Sequence, residues 1–199
     1  MSRKNELTLD ELLKPEMMMH LYTQGAFPMA DSENEINWYM PEVRTIIPIN
    51  EFNIPRSMKK ILSAGTFEFR YDFNQLEIIK NCANRESTWI SEKLISAYKN
   101  LIDRGFIHSV ETYMDNEMVG GLYGVAFGGA FFGESMFSKV SQASKAALVK
   151  LVERLKEKKF VLLDVQYQTE HLKMFGAKEI TFKEYTKYLK KAYKKEIFF

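Results

Sequence analysis

Residues 120–138, Gly-Gly-Leu-Tyr-Gly-Val-Ala-Phe-Gly-Gly-Ala-Phe-Phe-Gly-Glu-Ser-Met-Phe-Ser, constrain the fold of this chain more than any other stretch. They read as two apolar strands, Met118–Phe127 and Ala130–Phe137, joined by a Gly128-Gly129 turn. A third strand, His108–Met114, precedes them across Asp115-Asn116-Glu117, which makes an antiparallel meander. One carboxylate, Glu134, sits among Phe131, Phe132, Met136 and Phe137. A buried carboxylate without a partner is costly, so Glu134 needs a counterion or a task. A structural ion pair and a functional site both meet that requirement.

The segments that follow the meander extend the sheet. Ser141 is placed to cap a helix reaching Lys158, with Leu148, Leu151, Val152 and Leu155 as its buried face. Phe160–Tyr167 then reads as a strand returned parallel to the meander by a helical crossover. On it, Asp164 and Gln166 are two residues apart and share a face, while Leu163 and Val165 take the other. A carboxylate and an amide projecting together can steer protons and orient an amine; a solvated strand end is the alternative. Thr8 with Glu11 and Thr181 with Glu184 have the spacing of capping boxes that open helices. Other helices are expected over Pro15–Gln24, Pro55–Ala64, Asn74–Cys82, Ser91–Arg104 and His171–Phe175. Short strands are expected at Arg44–Ile49, Thr66–Tyr71 and Lys178–Ile180. Ala26–Pro41 reads as an aromatic-rich loop and Asn84–Thr88 as a polar loop leading to Trp89. The pattern is α+β: a small N-terminal domain over 1–52, then a domain over 53–199 with a mixed sheet flanked by helices.

The formal charge of +2 gives no global argument for nucleic acid, so any RNA contact has to be local. Arg56, Lys59 and Lys60 form one basic cluster, with Arg56 and Lys60 on a shared helix face; a solvated face is the plainer reading. Trp38, Tyr39 and Trp89 fall in or beside expected loops, where an aromatic face can stack a base; core packing is the commoner fate. The single cysteine, Cys82, allows no internal disulfide, which fits a reducing compartment. The N-terminus is charged, and no run approaches the roughly 18 apolar residues of a membrane span. A cytoplasmic protein with no signal peptide and no membrane partner is expected. His20, His108 and His171 lack metal-ligand spacing, so no metal is expected. There is no P-loop or dinucleotide fingerprint and no nucleophile elbow.

In order along the chain, Tyr22-Thr23-Gln24-Gly25-Ala26-Phe27-Pro28, Trp38-Tyr39-Met40-Pro41 with Arg44, Arg56-Ser57-Met58-Lys59, Thr88-Trp89-Ile90 and His108-Ser109-Val110-Glu111 precede the glycine-rich stretch. Ala143-Ser144-Lys145, Asp164-Val165-Gln166 and Gly176-Ala177-Lys178-Glu179-Ile180 follow it. This series resembles the leucyl/phenylalanyl-tRNA–protein transferase family from about Tyr22 to Tyr188. The resemblance implies a GNAT-like acyltransferase fold for the larger domain. It implies transfer of leucine or phenylalanine from aminoacyl-tRNA to the N-terminal Arg or Lys of an acceptor protein, marking that protein for degradation under the N-end rule.

By the same resemblance, Asp164 would help deprotonate the acceptor amine and Gln166 would relay or orient it; in a rival account the terminal ribose of the tRNA moves the proton. Glu134 would hold the donor's ammonium. Tyr39 and Trp89 would embrace the terminal adenosine with Trp38 in support. Leu122, Phe131, Leu151, Leu155 and Leu163 would line the amino-acid pocket, although strand alternation turns Leu163 away from Asp164. Arg56, Lys59 and Lys60 would meet tRNA phosphates. No cofactor is implied, and a monomer is expected. The chain departs from the family's usual pattern at Trp38-Tyr39 (usually Trp-Trp), at Phe27-Pro28-Met29-Ala30 (usually Phe-Pro-Trp-Phe) and at Val165 (usually Cys). Two rival functions are an acyl-CoA-dependent N-acyltransferase and a non-enzymatic tRNA- or peptide-binding module. The first would need a glycine-bearing phosphate loop where this chain has Phe137-Ser138-Lys139-Val140-Ser141-Gln142-Ala143.

Overall fold

A computed structural model describes residues 7–32, 35–85 and 88–199. The N-terminal residues 1–6 and part of the expected polar loop 84–88 lie outside that range. Two helices, α1 (Leu9–Leu12) and α2 (Pro15–Gln24), lead into β1 (Phe27–Ser32), β2 (Glu35–Tyr39) and β3 (Val43–Ile46). A 3₁₀ turn at Ile49–Glu51, α3 (Arg56–Ser63), β4 (Glu68–Tyr71), α4 (Gln75–Ala83) and α5 (Glu92–Asp103) follow. The meander is β5 (Ile107–Met114), β6 (Glu117–Phe127) and β7 (Ala130–Ser138). Last come α6 (Ala143–Glu157), β8 (Leu162–Gln166), α7 (Glu170–Lys173), β9 (Lys178–Thr181) and α8 (Phe182–Ala192).

The fold is α+β. Seven strands form one mixed sheet in the order β4-β5-β6-β7-β8-β3-β9, and β1 and β2 form a separate antiparallel pair. Every neighbouring pair in the large sheet is antiparallel except β7 and β8. Those two are parallel because α6 carries the chain back across the sheet, as the crossover rule requires. Side chains alternate across β7, so the two faces build two cores. Phe132 packs with Tyr22 of α2, Ile78 of α4, Tyr98 of α5 and Tyr185 of α8. Phe131 packs with Met58 of α3 and with Leu148, Leu151, Val152 and Leu155 of α6. Each of those α6 side chains contributes about 1.5–3 kcal/mol by burial.

Both expected capping boxes are present, at Thr8/Glu11 and Thr181/Glu184. The reading of 26–41 as a loop is corrected: Phe27 pairs with Tyr39 and Pro28 with Trp38 in a two-stranded hairpin. Pro28 lacks a donor, but such a small edge pair tolerates it. Ser141 does not cap α6. Gln142 takes the cap position in the left-handed region (φ 72) with no side-chain bond, and the Ser138 hydroxyl at the end of β7 accepts from Ser144 N at 2.9 Å instead. The strand β3, expected within the small N-terminal domain, is hydrogen-bonded between β8 and β9 in the large sheet. α2 and β1 likewise share a core with β7 and β8.

Two irregularities shape the middle of the sheet. Tyr123 of β6 pairs with Ser135 and Gly124 with Gly133, so Glu134 is the extra residue of a β-bulge. Bulges re-aim side chains and recur beside functional sites. A Cβ at Gly124 would run into the Phe132 carbonyl and the Phe131 ring. Gly124→Ala is therefore expected to cost about 1–3 kcal/mol, read as a lower urea midpoint with unchanged slope. The second irregularity is a split: β7 and β8 pair only from Ala130↔Leu162 to Phe132↔Asp164. Beyond that point the two strands separate, with Glu134 on one and Gln166 on the other.

Candidate active site

Glu134 is 7% exposed. Tyr22 donates its hydroxyl to Oε1 at 2.9 Å, and Tyr98 donates to Oε2 at 2.8 Å. The Gln166 amide donates to Oε1 at 3.4 Å. Among the described residues no cation pairs with it, so the structural ion pair is excluded there. Burial pushes the Glu134 carboxyl up to about 7, against the lowering effect of the two tyrosine hydroxyls. Burial and the nearby Glu134 charge hold Tyr22 and Tyr98 well above the usual tyrosine range, so both remain donors at neutral pH. The bulge thus carries a carboxylate with several donors, no counterion, and a proton affinity near neutrality. Tyr123 extends the tyrosine row edge-on to Tyr98 at 5.6 Å.

Asp164 is fully buried, and its counterion is Arg44 of β3. Tyr185 donates to Oδ2 at 2.7 Å, and the Gln166 backbone N–H donates to Oδ1 at 2.9 Å. Arg44, itself 1% exposed, also donates to the Gly25 carbonyl at 2.6 Å. Its guanidinium lies 4.7 Å from the ring centres of Phe27 and Tyr185. Three structural donors hold the carboxylate, two on Oδ2 and one on Oδ1. What it fixes is Gln166, whose backbone sits in the left-handed region at φ 63, a conformation a non-glycine residue holds only when its surroundings impose it. Asp164, Gln166 and Glu134 therefore form one hydrogen-bonded series, in which Asp164 and Gln166 share a face as their strand spacing predicts.

A cavity of about 600 Å³ opens where β7 and β8 separate. Glu134 and Gln166 line it together with Leu122, Leu148, Leu151 and Leu163. Leu163 points away from Asp164, yet it reaches the cavity because the gap between the strands connects both faces of the sheet. Trp89 and Met29 stand on the wall, as do Arg85 and His171. Asp164 does not line the cavity. Phe131 and Leu155, both completely buried, pack behind the lining. Trp38 meets Tyr22 edge-on at 5.5 Å, and Tyr39 stacks on Phe27 at 6.3 Å while bonding Asp31 at 2.7 Å. Neither lines the cavity, because the hairpin turns Met29 to it instead. Arg56, Lys59 and Lys60 are exposed on α3, whose buried Met58 anchors the helix on the α6 side of the sheet.

The sequence reading did not assign Tyr22, Tyr98, Tyr185 or Arg44 to the site. Tyr98 is legible only within the apolar stripe Leu94, Ile95, Tyr98, Leu101 and Ile102 of the expected Ser91–Arg104 helix. A tyrosine in such a stripe still needs an acceptor for its hydroxyl, and that was the available signal.

The family described as leucyl/phenylalanyl-tRNA protein transferase matches residues 46–190, and its N-terminal domain matches residues 11–42. A leucyl/phenylalanyl-tRNA–protein transferase of Gloeobacter violaceus is 46% identical over 181 residues, covering 90% of this chain and 94% of the relative. The protein of that name from Herpetosiphon aurantiacus is 48% identical over the same shares. Among solved structures, L-PGS from Bacillus licheniformis aligns at a TM-score of 0.44 with 13% identity, over 79% of this chain and 54% of that one.

Proposed function

The chain belongs to the leucyl/phenylalanyl-tRNA–protein transferase family, and on that premise we propose that the cavity at the Glu134 bulge transfers leucine or phenylalanine from aminoacyl-tRNA to the N-terminal Arg or Lys of an acceptor protein. The observation that carries this is the Glu134–Gln166 pair set into an apolar cavity. The donor ester is already activated, so the reaction calls for no cofactor. The acceptor's neutral α-amine attacks the ester carbonyl, an amide forms, and the ribose oxygen leaves with a proton. Holding amine and ester in contact supplies up to about 7–11 kcal/mol in well-oriented systems.

Ionised Glu134 holds the donor's ammonium, and Gln166 orients the acceptor amine. Asp164 acts through Gln166 as a positioning residue, since its own oxygens are taken by Arg44, Tyr185 and the Gln166 N–H. Leu122, Leu148, Leu151 and Leu163 receive an apolar side chain; one methylene is worth only about 1–3 kcal/mol in such a pocket. Trp89 stacks the terminal adenine, with Trp38 and Tyr39 supporting from the hairpin. Arg56, Lys59 and Lys60 take phosphates of the acceptor stem without reading sequence. Trp89→Ala is expected to raise the KM for leucyl-tRNA by about 5- to 150-fold, the equivalent of one stacked base, with the KM for the acceptor peptide unchanged.

A GNAT-like description of the larger sheet belongs to the same proposal. The parallel β7–α6–β8 unit that splits beyond Phe132 and Asp164 supports it. Labelling as an N-end-rule mark, action in the cytoplasm and work as a monomer belong to the same proposal. The acyl-CoA alternative is disfavoured at α6. No glycine nest precedes that helix, and Ser138 already occupies the Ser144 N–H of its first turn. Offering leucyl-tRNA, phenylalanyl-tRNA, valyl-tRNA and acetyl-CoA in parallel to a peptide beginning with Arg separates the readings. Transfer from the first two donors is expected; acetylation instead would overturn the proposal.

A further inference from the structure

A second space adjoins the cavity. It is a groove of about 340 Å³ lined by Asn81 and Asn84, by Arg85, and by Met136, Ser138 and Lys139. Arg85 and Met136 line both spaces, so the groove leads outward from the wall that carries Trp89. Arg85 is fixed at the junction. Its Nε donates to the Cys82 carbonyl at 2.7 Å, and its Nη2 donates to Ser135 Oγ at 2.6 Å and to the Met136 carbonyl at 3.0 Å. A guanidinium already held in place loses little freedom when it meets an anion. Lys139, also in the lining, is exposed and makes no ion pair among the described residues. Glu77, one turn before Asn81 on α4, accepts from the Asn81 amide at 3.0 Å. Among the described residues the groove therefore presents two cations, the Asn84 amide and a hydroxyl.

An aminoacyl-adenosine seated in the cavity with its base on Trp89 has to pass its 5′-phosphodiester out of that cavity. We propose that the Arg85–Lys139 groove binds the phosphodiesters immediately 5′ of the terminal adenosine of the RNA donor, separately from the α3 cluster of Arg56, Lys59 and Lys60. This inference rests on the transfer reading for the placement of the adenosine. Its test does not require transfer. The probes are the trinucleotide CpCpA and free adenosine, bound at equilibrium across 50–200 mM salt. Lys139→Glu is expected to weaken CpCpA about tenfold, the worth of one charge-assisted contact, to lower the salt slope by ~0.7, and to leave adenosine binding unchanged. Arg85→Lys, which keeps the charge and loses the fork, is expected to weaken CpCpA by more than it weakens adenosine, because Arg85 also lines the cavity. Equal CpCpA binding by wild type and Lys139→Glu would overturn the groove, and so would an equal loss for both ligands. A wild-type chain that binds CpCpA through Lys139 but transfers no leucine would leave the groove standing and remove the transfer reading.

Discussion

Asp164→Ala is expected to lower unfolding stability by about 3–5 kcal/mol, because it leaves the Arg44 guanidinium buried without its counterion. Arg44 is 1% exposed, and its other contacts are the Gly25 carbonyl, the Tyr185 hydroxyl and the faces of two aromatic rings. None of these replaces a negative charge. Removing both charges should be far milder, since well-packed apolar pairs often substitute for buried ion pairs at little cost. Arg44→Met with Asp164→Leu should therefore recover most of the loss. A urea double-mutant cycle on the two positions measures this, with a coupling of several kcal/mol expected. Purely additive losses would mean that the pair does not hold the fold. Among variants that stay folded, Asp164→Asn should lower kcat while both KM values stay within a few-fold, because it loosens Gln166 without touching either substrate pocket.

Glu134→Gln is expected to lower kcat/KM for transfer by about 10²–10³, the loss associated with one preorganised electrostatic partner. The pH behaviour separates this from a packing defect. Burial raises the Glu134 carboxyl to about 7, above the ordinary carboxylate range. A folded-state value above the unfolded one means that the fold favours the protonated form. The contribution to stability is full below the unfolded value and is lost as pH rises through about 7. The loss is up to about 3 kcal/mol. Wild-type stability should thus decline across that window, while the glutamine variant shows a flatter profile. Activity runs the other way. Ionised Glu134 is the form that holds an ammonium, so wild-type kcat/KM should rise with pH through about 7, and the variant should lose that limb while keeping the one at about 7.7–8.0 on which the acceptor amine becomes neutral. Tyr22 and Tyr98 do not titrate in this window, because their burial beside Glu134 keeps them protonated.

The glycine-rich stretch made the meander and Glu134 legible because apolar runs, turn glycines and an isolated carboxylate are local signals. The bulge at Glu134 was not legible: it exists only in the pairing of Tyr123 with Ser135 and Gly124 with Gly133. Period-two spacing correctly put Asp164 and Gln166 on one face but could not show that Arg44, 120 residues earlier, is the aspartate's counterion. Strand alternation argued against Leu163 in the pocket, and alternation holds; the split between β7 and β8 joins the faces. Proline and aromatic content made 26–41 look like a loop, so Trp38 and Tyr39 looked free to stack. Once paired as a hairpin, those strands turn Trp38 onto Tyr22 and Met29 toward the cavity. Ser141 was a sound candidate cap by residue type, but Ser138, brought in by the end of β7, reaches the helix first.

On the proposed reading, the Glu134–Gln166 cavity joins an aminoacyl group to a free N-terminal amine. Radiolabelled leucyl-tRNA incubated with a peptide beginning with Arg, and with the same peptide acetylated at its N-terminus, tests it most directly. Label is expected in alkali-stable linkage on the free-amine peptide only, and none after ribonuclease treatment of the donor. No label on the free-amine peptide, or equal label on the acetylated one, would contradict the account.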